Sequence, residues 1–167
     1  MQILDNFVTV ASILAAGIAP MYVYAQPTLV QARRNILRIA VGMVAVGITG
    51  GIIIAMSAHW IIHLLYGSAF ASAADLLQLA ALASSLVFAD VALTLLPIYM
   101  RRPQLVAIKW GIVFATTIVV DSIAIPHLGA RGAILGYAVA NLLAIAFGIG
   151  IWLRQTQGAP AQHEAKA

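Results

Sequence analysis

The chain has no cysteine among its 167 residues. That excludes disulfides, thiol catalysis and cysteine metal sites, and it says nothing about compartment. Charge is nearly as scarce. Asp, Glu, Lys and Arg make up 8% of the sequence, against about a quarter in a soluble domain. No charged residue of these four types occurs from Ile39 to Ala74. No nucleophile motif, carboxylate pair or metal-ligand cluster falls on any one predicted face, so an enzyme is not expected. No cofactor, metal or nucleic-acid partner is called for either. What remains is apolar: 63% hydrophobic residues and a mean hydropathy of +1.00. The natural solvent of such a chain is lipid.

A membrane-crossing helix needs roughly 20 apolar residues, so this length holds about five spans and not two independent domains. The expected fold is an all-α integral membrane protein, a single transmembrane helical domain over residues 1–154. The spans are read at about 3–25, 39–65, 75–100, 104–126 and 132–153. The chain turns on residues 64–80, LLYGSAFASAADLLQLA, where Gly67 and Ser68 break the apolar run and a leucine-rich helix begins. That reads as membrane exit and re-entry. Pro20, in the last third of the first span, should kink or loosen it. His59, Trp60, His63 and Tyr66 mark an interfacial end. His59 and His63 stand four apart, yet a metal would need Asp75 to fold back as a third ligand, and interfacial histidines are the preferred reading.

Residues 26–38, QPTLVQARRNILR, are the most charged stretch. Helical spacing sets Gln31, Arg34, Asn35 and Arg38 on one face and apolar residues on the other, the pattern of a short helix lying among the headgroups. Arg33, Arg34 and Arg38 are therefore candidate headgroup contacts, or else ordinary positive-inside charges. Residues 155–167 are expected to be a disordered cytoplasmic tail.

Inside the spans the chemistry is sparse. Asp90 falls near the middle of the third span, where a carboxylate costs about 3 kcal/mol on insertion scales and should face protein or water. It is the leading candidate for a substrate or ion pathway, with Thr94 one turn on. Asp121 and Asn141 are weaker candidates for the same pathway. Lys109 lies little more than one turn into the fourth span and is expected to snorkel back to the headgroups. Gly132, Gly136, Ala140, Ala144 and Gly148 recur at every fourth position, a small-residue seam for close helix packing. Gly47, Gly51 and Ala55 form a shorter row of the same kind.

Orientation follows from the basic residues. The loop before the second span carries three, the turn before the fourth carries three, counting Lys109, and the tail carries two; the alternating side carries only Arg131. Eight against one places the N-terminus outside and the C-terminus in the cytoplasm.

Several landmarks in succession resemble one family. YGSAF followed by AADLLQLAAL, MRRP after LLPIY, IPHLGARGAILGYAVAN and the terminal WLRQ are similar to the C-terminal lobe of bacterial polysaccharide (oligosaccharide-lipid) flippases. These belong to the superfamily shared with multidrug and toxin extruders and lipid II flippases. The resemblance implies a two-lobe transporter of twelve to fourteen helices, carrying a lipid-linked oligosaccharide across the bacterial inner membrane by alternating access. The alternatives are a cation-coupled multidrug exporter of that superfamily and a small non-transporting membrane subunit. Five spans make less than one lobe, so the chain is expected to be a C-terminal part of a longer transporter. Its partners are then the bilayer, the lipid-linked glycan, and either the first lobe or further copies of itself.

Overall fold

The computed structural model describes residues 2–157, with side chains up to residue 154. Its described residues form helices and short turns. They are α1 (Gln2–Ala19), continued by a π-helical turn (Pro20–Tyr24), α2 (Leu29–Tyr66), a 3₁₀ turn (Ser68–Phe70), α3 (Ala73–Ser84), α4 (Leu86–Tyr99), α5 (Pro103–Leu128) and α6 (Ala130–Gln157). Five stretches are long and apolar enough to cross a membrane: Gln2–Tyr24, Leu29–Tyr66, Ala73–Tyr99, Pro103–Leu128 and Ala130–Arg154. Each overlaps one expected span. Most of the expected tail lies outside the described residues; its first three, Gln155–Gln157, instead finish α6.

The basic segment departs from expectation. It does not form a separate helix in the headgroup plane but supplies the first turns of α2, a single helix of 38 residues. Thr28 caps its start, accepting a hydrogen bond from the Gln31 amide at 3.4 Å. From Leu29 to Val41 no glycine or proline interrupts it, and Leu, Gln, Ala and Arg are good helix formers, so elongation costs little. At 1.5 Å per residue α2 is about 57 Å long, against a hydrocarbon core of ~30 Å. It is therefore longer than a perpendicular crossing needs. It ends at Gly67, whose φ of +79° L side chains rarely adopt.

Pro20 loosens α1 by opening a π turn rather than by a sharp kink. The widened turn is tied down from outside: Asn35 Nδ2 donates to Tyr22 O at 2.8 Å, and the Tyr99 hydroxyl donates to Gln26 O at 3.0 Å. The third span is likewise two helices. The chain breaks at Ser85, whose hydroxyl donates to Gly47 O at 2.9 Å, with Ala81 O at 3.2 Å as the alternative acceptor.

α4 is the central element, touching α1, α2, α3, α5 and α6. Phe88, Ala92, Leu95 and Leu96 are buried on it, against Ala11, Ala15, Ala19 and Val23 of the first span and Ile36 and Met43 of α2. Phe88 stacks on Phe7 with ring centroids 5.0 Å apart. It also fills the space over Gly47, where a Cβ would come within 2.8 Å of its ring. Lipid is as apolar as these side chains, so close fit and hydrogen bonding, rather than exclusion from water, hold the helices together.

The α6 seam has two neighbours. Near the hairpin turn, Gly132 lies on the Ala124 backbone and Gly136 on Asp121, both of α5. Further along, Gly148 lies on Leu93 of α4. Ala140 and Ala144 between them are buried. α6 thus packs on α5 near the turn and on α4 further along, while most of α5 is not buried. Ala124 and Lys109 are its buried residues.

Candidate functional site

Asp90 and Lys109 form a buried ion pair. They are antiparallel neighbours across the turn Met100–Arg102, Asp90 nine residues before Tyr99 at the end of α4 and Lys109 six residues after Pro103 at the start of α5. At 1.5 Å per residue their Cα atoms lie roughly 14 and 9 Å from that turn, and the four-carbon lysine stem covers the difference. Both residues are 5% exposed.

All three ammonium hydrogens are used. Lys109 Nζ donates to Asp90 Oδ1 at 2.9 Å, to Asp90 Oδ2 at 2.8 Å and to Thr94 Oγ1 at 2.7 Å. Thr94 in turn donates to Asp90 O at 2.7 Å, so one helical turn of α4 offers the lysine three oxygens. The Trp110 ring centroid stands 4.9 Å from Nζ. The expectation that Lys109 snorkels to the headgroups is corrected. It turns inward because a carboxylate at nearly its own depth would otherwise be unpaired in the bundle, which costs more than desolvating the pair. Sequence reading placed Asp90 and Thr94 but missed their partner.

The pair is not sealed in. It borders a cavity of about 280 Å³ whose floor is α4 (Asp90, Val91, Thr94, Leu95, Ile98) and whose walls are the first span (Ser12, Ala15, Ala16, Ala19, Tyr24) and α5 (Lys109, Trp110). The small residues of α1 leave the space, while the charged groups stand on the floor and the α5 wall. A closely held charge pair beside an opening can rearrange when something with matching charge enters.

Asp121 lies elsewhere, on the half of α5 next to the hairpin. It borders a shallow groove with Thr117, Ile118, Ser122, Ile125 and Pro126. Its Oδ1 is buried against Gly136 with no hydrogen-bond partner among the described residues. Asn141 donates to Tyr137 O of its own helix at 2.8 Å, not across to a neighbour. The three pathway candidates therefore do not converge, and the cavity beside Asp90 contains neither Asp121 nor Asn141.

The arginines also separate. Arg33 stacks on Trp152 of α6, its guanidinium carbon 4.3 Å from the ring centroid, and donates to Trp152 O at 3.3 Å. It ties α2 to α6 rather than reaching outward. Arg34 and Arg38 are exposed. At the opposite end of the bundle His59 Nε2 is 3.9 Å from Asp75 Oδ1, and Gln78 Nε2 is 3.3 Å from His59 Nδ1. Asp75 does fold back to His59, yet no group of three or more potential metal ligands gathers among the described residues.

Comparison of the chain with family models, curated proteins and solved structures gives no match.

Proposed function

We propose that this chain serves membrane transport of a lipid-linked oligosaccharide or polysaccharide precursor across the bacterial inner membrane, as part of the C-terminal lobe of a flippase. The cavity beside Asp90, Lys109 and Thr94 is then a stretch of the substrate or ion path. One observation carries the reading: a buried, fully hydrogen-bonded ion pair at membrane depth faces a space between three helices instead of being closed over by apolar side chains. Intramembrane charges of this kind are concentrated on pathways. The landmark resemblance supplies the substrate class. The N-terminus lies outside and the C-terminus in the cytoplasm. The first lobe, or a second copy of the chain, covers the surfaces that face no neighbour here.

The test is genetic complementation in the native host. Deleting the gene should stop surface polysaccharide and leave lipid-linked oligosaccharide on the cytoplasmic leaflet. Asp90→Asn should restore less than about a tenth of the surface polysaccharide while reaching the membrane in normal amounts, tenfold being ~1.4 kcal/mol at the rate-limiting step. Full restoration by that variant would remove Asp90 from the path. The second reading, a cation-coupled multidrug exporter, is favoured by a carboxylate that borders the opening. It predicts drug sensitivity in the deletion strain without stalled glycan.

A further inference from the structure

We propose that the cavity between α1, α4 and α5 binds a zwitterionic lipid headgroup of the phosphoethanolamine type, anionic phosphate toward Lys109 and ammonium toward Asp90. The inference rests on the transport reading only in taking the cavity as accessible. It concerns a ligand which that reading does not name.

The argument starts from charge balance. Asp90 and Lys109 are the charged residues around the cavity, and together they are neutral. A purely anionic guest could take Lys109 only by leaving the Asp90 carboxylate uncompensated among apolar helices. A purely cationic guest would strand Lys109 in the same way. In a region of low dielectric either outcome costs several kcal/mol. A guest carrying both charges avoids it, because each protein charge exchanges one opposite partner for another and the sum inside the bundle stays zero.

Geometry supports the exchange. Nζ sits at the end of a flexible stem, so the lysine can withdraw while Asp90 and Thr94 stay fixed on α4. The freed oxygens, Asp90 Oδ1, Asp90 Oδ2 and Thr94 Oγ1, already satisfy one ammonium group with three donors. A ligand ammonium of the same size and donor count fits the same cradle. Trp110 and Tyr24 line the cavity and offer aromatic faces to whichever cation lies nearer. At about 280 Å³ the space falls just below the range of drug-sized pockets, which begins near 300 Å³, and it has room for a lipid headgroup. The helices that wall it are apolar on the outside, Ile13 on α1 and Ile108 on α5 being well exposed. The acyl chains of a bound lipid would then remain in the bilayer.

The experiment uses the full chain, purified in detergent and incubated with equal amounts of phosphatidylethanolamine, phosphatidylglycerol and a dialkyl trimethylammonium lipid, with retained lipid counted by native mass spectrometry. Phosphatidylethanolamine should be retained on the order of tenfold more tightly than either singly charged lipid, and Lys109→Met or Asp90→Asn should each erase that preference. Exchanging the charges, Asp90→Lys with Lys109→Asp, should keep it, since a zwitterion can turn around whereas an anion site could not. Equal or better retention of phosphatidylglycerol by the wild type would overturn the proposal, and this arm needs no variant to fold. Displacement of the lipid by free phosphoethanolamine of matching affinity would overturn the lipid assignment. Complementation by Asp90→Asn reads the transport role separately, so either proposal can fail without the other.

Discussion

Lys109 shows how two buried charges answer each other. Removing one partner of a buried pair strands the other and typically costs about 3–5 kcal/mol, whereas replacing both by apolar groups of similar size is often neutral or stabilising. Asp90→Asn and Lys109→Met are therefore each expected to lower the melting temperature of the detergent-solubilised chain. Asp90→Leu combined with Lys109→Met should return it to near the wild-type value. Thermal unfolding of the three variants checks this, and a double variant as unstable as the worse single would show that the network holds more than the two charges. If the cavity is on a transport path, that stable double variant should still be inactive, which separates the role of the pair in packing from its role in function. In physical terms the pairing was half legible. Snorkelling weighs a lysine against the nearest interface along its own helix. It takes no account of a carboxylate at nearly the same depth on the next one, although counting back from the turn to both residues would have brought them together. Asp121 was legible as an intramembrane carboxylate, but nothing in its spacing reveals that Gly136 would press on its Oδ1.

Helices were legible where composition alone governs them and illegible where one side chain intervenes. The five spans follow from hydropathy, and the Gly132–Gly148 seam from four-residue spacing. The break at Ser85 does not, because it depends on a hydroxyl reaching Gly47 O across to another helix. Nor does the fusion of the basic segment with α2, since amphipathic spacing is the same for a helix lying flat and for one that projects from the membrane. The seam makes its own prediction. A Cβ on Gly132 would stand 2.5 Å from the backbone carbonyl of Ala124, which has no side-chain freedom to yield. Gly132→Ala should force α5 and α6 apart and destabilise the hairpin by roughly 1–3 kcal/mol, the usual cost of overpacking. Gly150, on the same helix, has nothing within 4 Å of such a Cβ. Gly150→Ala is the control and should unfold at or above the wild-type temperature, because alanine is the better helix former. Equal melting of the two variants would mean that the seam is not tightly packed in the membrane.

For the whole molecule the decisive property is sidedness, and the inward turn of Lys109 changes the count behind it. A lysine paired inside the bundle no longer belongs to the turn before α5, so the predicted cytoplasmic side keeps seven basic residues instead of eight, against Arg131 alone on the other. The bias survives the correction because the remaining residues flank the spans closely, where such charges set orientation. Arg34, Arg38, Arg101 and Arg102 are all exposed at one end of the bundle. Ser68 lies in the turn that opens the third span, and Gln104 lies just beyond its far end. A span of 27 residues, Ala73–Tyr99, separates the two positions by about 40 Å, enough to cross a hydrocarbon core of ~30 Å. The natural lack of cysteine makes the test clean, for a single thiol introduced at either place is the chain's sole site of labelling. In intact cells an impermeant maleimide should modify Ser68→Cys and spare Gln104→Cys, and permeabilising the inner membrane should expose the second without changing the first. Labelling of Gln104→Cys alone would invert the topology and put His59 and Asp75 in the cytoplasm. Labelling of both in intact cells would mean that Ala73–Tyr99 does not cross, and Asp90 on it and Lys109 on α5 would then lose the membrane that makes their pairing necessary.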